Sequence, residues 1–466
     1  MNRLMGTCCA IAMAAVLGST AMARADVTIS THATIHMRCV SGVCTPTGAK
    51  AVLNVSELNA MLGSGAVTIE SSAAAPDIYV EAGISWANTN MLNLYAYRSL
   101  HIDRAIDATA GGCLWVYTND GGGSDGVFTF GKAGLVHFLD PVTSTLQING
   151  IDYTVVTDVA SLASGITSNP GGSFALAASY DAGPDGSYEF APVNTTFTGN
   201  FEGLGNTISN LSVRHGNRKL GLFNTVGAGG HVENISLTRM RLHATGNTKS
   251  IGGGIAAVND GTIFNAHTSG KISTTGIGGT GGALVGINNG TITASSSNAT
   301  PQIGSSCVGG LVGLNTGTIS QSYAAGRVAG RQPGGLACEN SGTIVDSYDV
   351  ANVLGRSATP YPGGLTSVND ASGVLTTSYA AGQITAVSNF GGIAGTNNGA
   401  LSQVYWDIDD TGAGAGFGCG AGSCSGATAL SRTQLQSALP SGFDPAIWGR
   451  SGINNGLPYL LNNPPR

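Results

Sequence analysis

Charged side chains are scarce in this chain of 466 residues: Asp, Glu, Lys and Arg together make up 10%, with a formal net charge of −6. Without a basic patch, electrostatic attachment to nucleic acid or to an anionic membrane surface is not expected. Beyond residue 25 no apolar run approaches the roughly 20 residues that a membrane-crossing helix needs, so no integral membrane segment is expected. Signatures of chemistry are missing too. His231-Val232-Glu233-Asn234 has no second histidine four residues on, so it is not a metalloprotease helix. Gly121 to Gly126 is followed by no Gly-Lys-Ser/Thr, which leaves a flexible turn rather than a phosphate cradle. There is no Gly-x-Ser-x-Gly elbow in a strand–helix context. The 72 glycines lack the every-third spacing of collagen.

What is present is glycine, asparagine, serine and threonine in dense clusters between short β-branched runs, the pattern of many short strands joined by tight turns. Hydrophobic residues reach 42%, enough to bury a continuous core. Residues 1–25 read as a signal peptide: Arg3, an apolar run from Cys8 to Leu17, and Ala23-Arg24-Ala25 before Asp26. Export is the implied fate. Seven cysteines follow it, an odd number, so at least one is unpaired or pairs between molecules. Cys39 and Cys44, like Cys419 and Cys424, enclose four residues in Gly/Ser-containing loops; each pair suits a local disulfide or two buried thiols. Neither has zinc-site spacing.

Six asparagines set a repeat: Asn259, Asn288, Asn315, Asn340, Asn369 and Asn397, at intervals of 29, 27, 25, 29 and 28 residues. Four positions before each stands Ile255, Leu284, Leu311, Leu336, Leu365 or Ile393. Two after comes Gly261, Gly290, Gly317, Gly342 or Gly399, then Ile263, Ile292, Ile319, Ile344 or Leu401; the fifth copy inserts Ala371-Ser372 before resuming. A unit this short cannot fold alone, but it suits one coil of a parallel solenoid whose equivalent side chains stack about 4.8 Å apart. The aliphatic columns then face inward and the asparagines bond from coil to coil. The Asn-x-Gly step is expected to be a corner that takes left-handed or otherwise strained backbone, which Asn and Gly tolerate. An aromatic column (His267, Tyr323, Tyr348, Tyr379, Tyr405) is interrupted by Ser296, which should tolerate Ala. It serves either as a sugar-stacking stripe or as a structural ladder. Cys307 and Cys338 differ by six residues in phase, roughly 20 Å of extended backbone, so no disulfide is expected between them.

Gly310-Leu311-Val312-Gly313, with its variants Gly335-Leu336-Ala337-Cys338 and Gly392-Ile393-Ala394-Gly395, resembles the GLUG repeat of filamentous-haemagglutinin-like bacterial adhesins. The segment from Phe197 to Leu211 with Gly221-Leu222-Phe223, the closing Tyr405-Trp406-Asp407, Trp448 and Leu457 to Leu460, and Val67 to Ile106 with Ile84-Ser85-Trp86 are similar to flanking regions of that family. The resemblance implies a right-handed parallel β-helix, exported to the cell surface or medium (the periplasm remaining open), with a role in adhesion or surface assembly. Its ligand would be a host or neighbouring-cell glycan or protein, and an outer-membrane export partner is conceivable.

The chain divides into the signal peptide (1–25), a less regular β-strand region (26–190), the repeat β-helix (191–407) and a Gly-rich loop with a C-terminal cap (408–466). The cap contains a short helix starting at Ser431 and is expected to cover the open end of the solenoid. An all-β fold of this kind often carries polysaccharide lyases or hydrolases, the main alternative to adhesion; a purely structural scaffold is the other. The one acidic cluster, Asp407-Ile408-Asp409-Asp410, half-matches a calcium loop, but Thr411 and Gly418 stand where ligands belong, so a solvated turn is expected. No catalytic residue, cofactor or metal is expected.

Overall fold

The glycine-marked corners determine how each coil closes. The computed structural model describes residues 25–466 except 216–218, 246–249, 275–278, 304–306, 357–360 and 388, so the signal peptide, all but its last residue, lies outside the described residues. These residues form a parallel β-solenoid of about 14 turns. One turn of the array runs Thr318–Ser320, Tyr323–Ala324, Arg327–Gly330, Gln332–Gly334 and Ala337–Asn340. Each strand pairs in parallel with its equivalent one coil on, and the register holds the columns: Asn288 pairs with Asn315, Ile292 with Ile319, and Tyr323 with Tyr348. All six of Ile255, Leu284, Leu311, Leu336, Leu365 and Ile393 are fully buried. Ala371 and Ser372 bulge into solvent without disturbing the pairing of Val374 with Thr343.

The N-terminal region belongs to the same solenoid. One 16-stranded sheet runs from the hairpin Met37–Val40/Val43–Pro46 through to Ala400–Ser402. Two successive apolar cores, one built mainly from Val27 to Ile148 and the other from Val156 to Ala413, follow along its length. The first core also takes in Ala177 and Leu204 from later coils, to whose carbonyls the N–H groups of Phe138 and Val136 donate. Two helices in this region were not legible as such. The first, α1 (Val55–Ser64), is capped by Asn54 and buries Val55, Leu58 and Leu62. The second, α2 (Val159–Ser168), has a capping box of Asp158 and Ser161 and buries Val159, Leu162 and Ile166. A third, α3 (Arg432–Ser437), starts at Ser431 as expected. No helix among the described residues is long and apolar enough to cross a membrane.

Two expectations about corners are corrected. The asparagines and the glycines two residues after them do not take left-handed backbone. Glycine is required there because a Cβ on Gly290, Gly317 or Gly342 would lie 2.1, 2.0 or 2.1 Å from a carbonyl oxygen of the preceding coil. Left-handed backbone falls instead six residues after the asparagine (eight in the fifth copy), at Asn265, Ala294, Gln321, Asp346, Thr377 and Gln403, with φ between 41° and 55°. Buried serines brace this corner: the backbone N–H of Ser295 donates to Ser322 Oγ, that of Ser322 to Ser347 Oγ, and that of Ser347 to Ser378 Oγ.

The second correction concerns Cys307 and Cys338, which form a disulfide with Cα atoms 5.4 Å apart. Their columns were placed correctly, but the backbone between the phases is not extended. Cys307–Gly309 turns sharply into Val312–Asn315, and the two strands pack so closely that a Cβ on Gly309 would sit 1.8 Å from Val312 O. Residues six apart therefore face one another: Lys219 Nζ donates to Thr225 Oγ1 (2.9 Å), and Ser367 Oγ to Tyr361 O (2.8 Å). Gly313 and Cys338 share one column, so Cys338 faces Cys307 of the coil before it.

Leu311 sits in the middle of this stack. Leu311→Ala should cost about 2–5 kcal/mol through lost contacts and a residual cavity. Because each coil touches only its neighbours, the loss should begin locally and spread. Chemical denaturation of the variant beside the parent chain checks this; an unchanged midpoint would mean the column does not face inward.

Candidate functional site

The asparagines form a buried amide ladder. Nδ2 of Asn259, Asn288 and Asn315 each donates to Oδ1 of the next at 2.7 Å, and Asn340 and Asn369 continue at 2.8 Å to Asn397. All six are at most 3% exposed. Every amide is thus satisfied within the stack, and none is available to bind a ligand.

The aromatic column is equally occupied. Tyr323, Tyr348 and Tyr379 stack with centroids 4.8 and 5.1 Å apart and planes within 9°. The segment after α3, expected to cover the open end of the solenoid, runs back along its flank over these rings. Trp448 packs on Tyr348 and Tyr379, Tyr379 Oη donates to Pro458 O (2.7 Å), and Tyr405 Oη donates to Ser441 O (2.8 Å). Further back, Asn463 Nδ2 donates to Ser295 O and Gln321 O. Tyr348 and Tyr379 are fully buried, so no sugar ring reaches them. This is a structural ladder under a strap.

Where Ser296 interrupts the ladder, a groove of about 470 Å³ opens, lined among others by His267, Ser296, Asn298, Tyr323 and Asn454. Its floor contains a directed hydrogen-bond chain. Asn265 Nδ2 donates to Asn234 Oδ1 (2.7 Å), which turns Asn265 Oδ1 toward His267 Nε2 (2.9 Å). That nitrogen must then carry the proton, so His267 Nδ1 accepts from Ser296 Oγ at 2.7 Å. A serine donating to an imidazole oriented by an amide has the connectivity of a nucleophile, its base and its positioning group. The surroundings oppose that use. Ser296 is 4% exposed, and burial, with the charge of Arg466 adding to it, holds the imidazole well below the usual histidine range, making it a weak base.

The acidic loop is a turn with Asp409 exposed, as expected, and its buried member is bonded internally. Asp407 is buried; its Oδ1 accepts the N–H groups of Asp409 and Asp410, and Arg432 faces Asp407 Oδ2 and pairs with Asp410. The guanidinium stands where a cation would. Of the other buried carboxyls, Glu202 is pushed well up by burial and then by Glu233, and Asp349 by burial. Cys39–Cys44 and Cys419–Cys424 are disulfides, with Cα atoms 4.0 and 5.7 Å apart, and Cys113 is unpaired. Among the described residues, one group of His, Cys, Asp or Glu side chains comes close enough to share an ion, Cys307, Cys338 and Glu339, and its two sulfurs are bonded to each other.

Residues 304–329 match the GLUG motif family. The chain is 35% identical over 271 residues to halomucin of Haloquadratum walsbyi; the match covers 55% of this chain and 3% of halomucin. Among solved structures, it is similar to a chain from Bacteroides ovatus described as a “putative immunoglobulin A1 protease”, at 17% identity and a TM-score of 0.47, over 67% of this chain and 93% of the other.

The groove alters one expectation. Ser296 is not a neutral position, because its hydroxyl supplies the proton that His267 Nδ1 accepts. Ser296→Ala should cost of order 1–3 kcal/mol by leaving a buried nitrogen without a partner. Denaturant titration reads this; a variant as stable as the parent would show that the imidazole finds another donor.

Proposed function

We propose that this chain is an exported, non-catalytic surface β-solenoid that acts through adhesion or another cell-surface interaction. The observation that carries the proposal is the use of polar groups inside the stack. The asparagine amides, the serines and the His267 chain are spent on coil-to-coil bonding, and the Asp407 carboxylate on its own loop and Arg432, which leaves recognition to outward columns and loops on a rigid rod. The GLUG match and the likeness to a stretch of halomucin fit a surface role.

One observation favours the alternative of a polysaccharide-acting enzyme. Glu202 and Glu233 are register neighbours on adjacent coils, and Glu202 is pushed toward its neutral form while Glu233 is partly exposed. Two carboxyls in unlike environments are what glycoside hydrolysis requires. Against it, both oxygens of Glu202 are engaged, by Leu204 N at 2.8 Å and Asn234 Nδ2 at 3.0 Å, and the residue is 4% exposed.

One experiment separates the readings. Purified protein is tested for binding to cells and immobilised glycans while reducing-end release is measured. Binding without release is expected. Release that disappears in Glu202→Gln would replace adhesion with hydrolysis.

A further inference from the structure

Three of the four tryptophans are buried, and each has an acceptor for its indole N–H: Trp86 to Asn90 O (2.9 Å), Trp406 to Ala413 O (3.1 Å) and Trp448 to Asp346 Oδ1 (3.4 Å). Trp115 differs. It lies on the outer face of the long sheet, part-exposed, and its indole N–H has no acceptor among the described residues. Alternation along the strands Met91–Tyr95 and Cys113–Tyr117 turns Leu92, Leu94, Leu114 and Val116 inward and presents Asn93, Tyr95, Trp115 and Tyr117 outward.

Parallel register places these groups side by side. Thr68, Asn93, Trp115 and Gln147 form one row across four coils, and Glu70, Tyr95 and Tyr117 form the next. Trp115 and Tyr117 are about 7 Å apart along their strand, and neighbouring coils are about 4.8 Å apart, so the rings make a platform roughly the size of a sugar unit or two. Tyr95 and Tyr117 meet edge to face at 4.9 Å. Tyr117 Oη donates to Gln147, whose Nε2 donates to Asp152 Oδ1 at 2.9 Å, so the amide is held beside the rings. Asn93 Nδ2 donates to Thr68 Oγ1 at 3.0 Å, while its Oδ1 is buried without a partner.

Resting on the surface-binding role above, we infer that this platform around Trp115, Tyr95 and Tyr117 binds a neutral hexose polysaccharide. Aromatic faces take the C–H faces of pyranose rings, and flanking amides, hydroxyls and the free indole N–H take their hydroxyls. The rows contain no lysine or arginine, and Asp120 and Glu70 lie close enough to help burial and Tyr117 raise the pKa of Tyr95, so an acidic glycan would be repelled. Rings interleaved with threonine, asparagine and glutamine are also too polar for the apolar centre of a protein–protein contact.

The test is affinity electrophoresis of the full chain through gels containing dextran, laminarin or galactomannan, with polygalacturonate and hyaluronate in parallel. Sedimentation equilibrium and binding to whole cells accompany it. At least one neutral polymer should retard the parent chain. Trp115→Ala should weaken that retardation tenfold or more, and Trp115→Phe, which keeps a ring, should weaken it less. Phe417→Ala, an exposed ring elsewhere (60% exposed), should leave it unchanged. Retardation only by acidic polymers, equal retardation of parent and Trp115→Ala, or a self-association that Trp115→Ala abolishes in place of glycan binding would each overturn the site. If cells are bound while no neutral polymer retards the chain, the platform inference falls and adhesion stands. If neither occurs, adhesion falls with it.

Discussion

The structure depends on how closely two strands of one coil can pack across a glycine corner. Where Cys307–Gly309 turns into Val312–Asn315, the carbonyl of Val312 occupies the volume of a Cβ on Gly309, and the same holds at Gly334 and Gly363 in the following coils. Any side chain there would push the strands apart. With the corner fixed, the next-but-one residue is driven inward (Leu311, Leu336, Leu365), and four residues later the asparagine reaches its partner in the next coil. The glycine, the aliphatic and the asparagine are therefore one device repeated along the chain. Its spacing is conserved from coil to coil because parallel pairing leaves no slack.

Burying so many polar groups would be costly if any were unpaired. In the asparagine and serine columns the solenoid avoids this by giving each side chain a partner one coil away, so these interior polar columns serve cohesion. The same logic explains why constellations that look chemical are inert. Ser296 and His267 stand where two stacked rings would otherwise be, and they bond to each other under the strap. Arg432 occupies the place of a cation beside Asp407 and Asp410. Recognition is left to outward positions, which the packing does not dictate.

The array was readable because repetition exposes it: six asparagines in phase, with aliphatics and glycines at constant offsets, have few alternatives to a stack of coils. What lay between phases was not readable. Six residues of extended strand would separate the two columns, whereas the glycine corner folds Cys307 back toward the column of Gly313 and Cys338. The Ser-Tyr pairs at Ser322-Tyr323, Ser347-Tyr348 and Ser378-Tyr379 carried the signal for the serine ladder and went unread. The caps at Asn54 and Asp158 announced α1 and α2 but were masked by the strand-rich surroundings. The course of the strap could not be read at all, since contacts such as Asn463 to Ser295 link residues 168 apart and follow no local rule. For the candidate site, the aromatic column was legible; that it would be covered depended on that tertiary path.

A non-reducing peptide map of the native protein tests the coil register and the corner together. A one-residue slip would turn Cys338 to the opposite face of its strand, and an open corner would move Cys307 out of reach. The account predicts a crosslinked peptide pair containing Cys307 and Cys338, alongside local loops at Cys39–Cys44 and Cys419–Cys424. Free thiols at 307 and 338, or either one joined to Cys113, would contradict it.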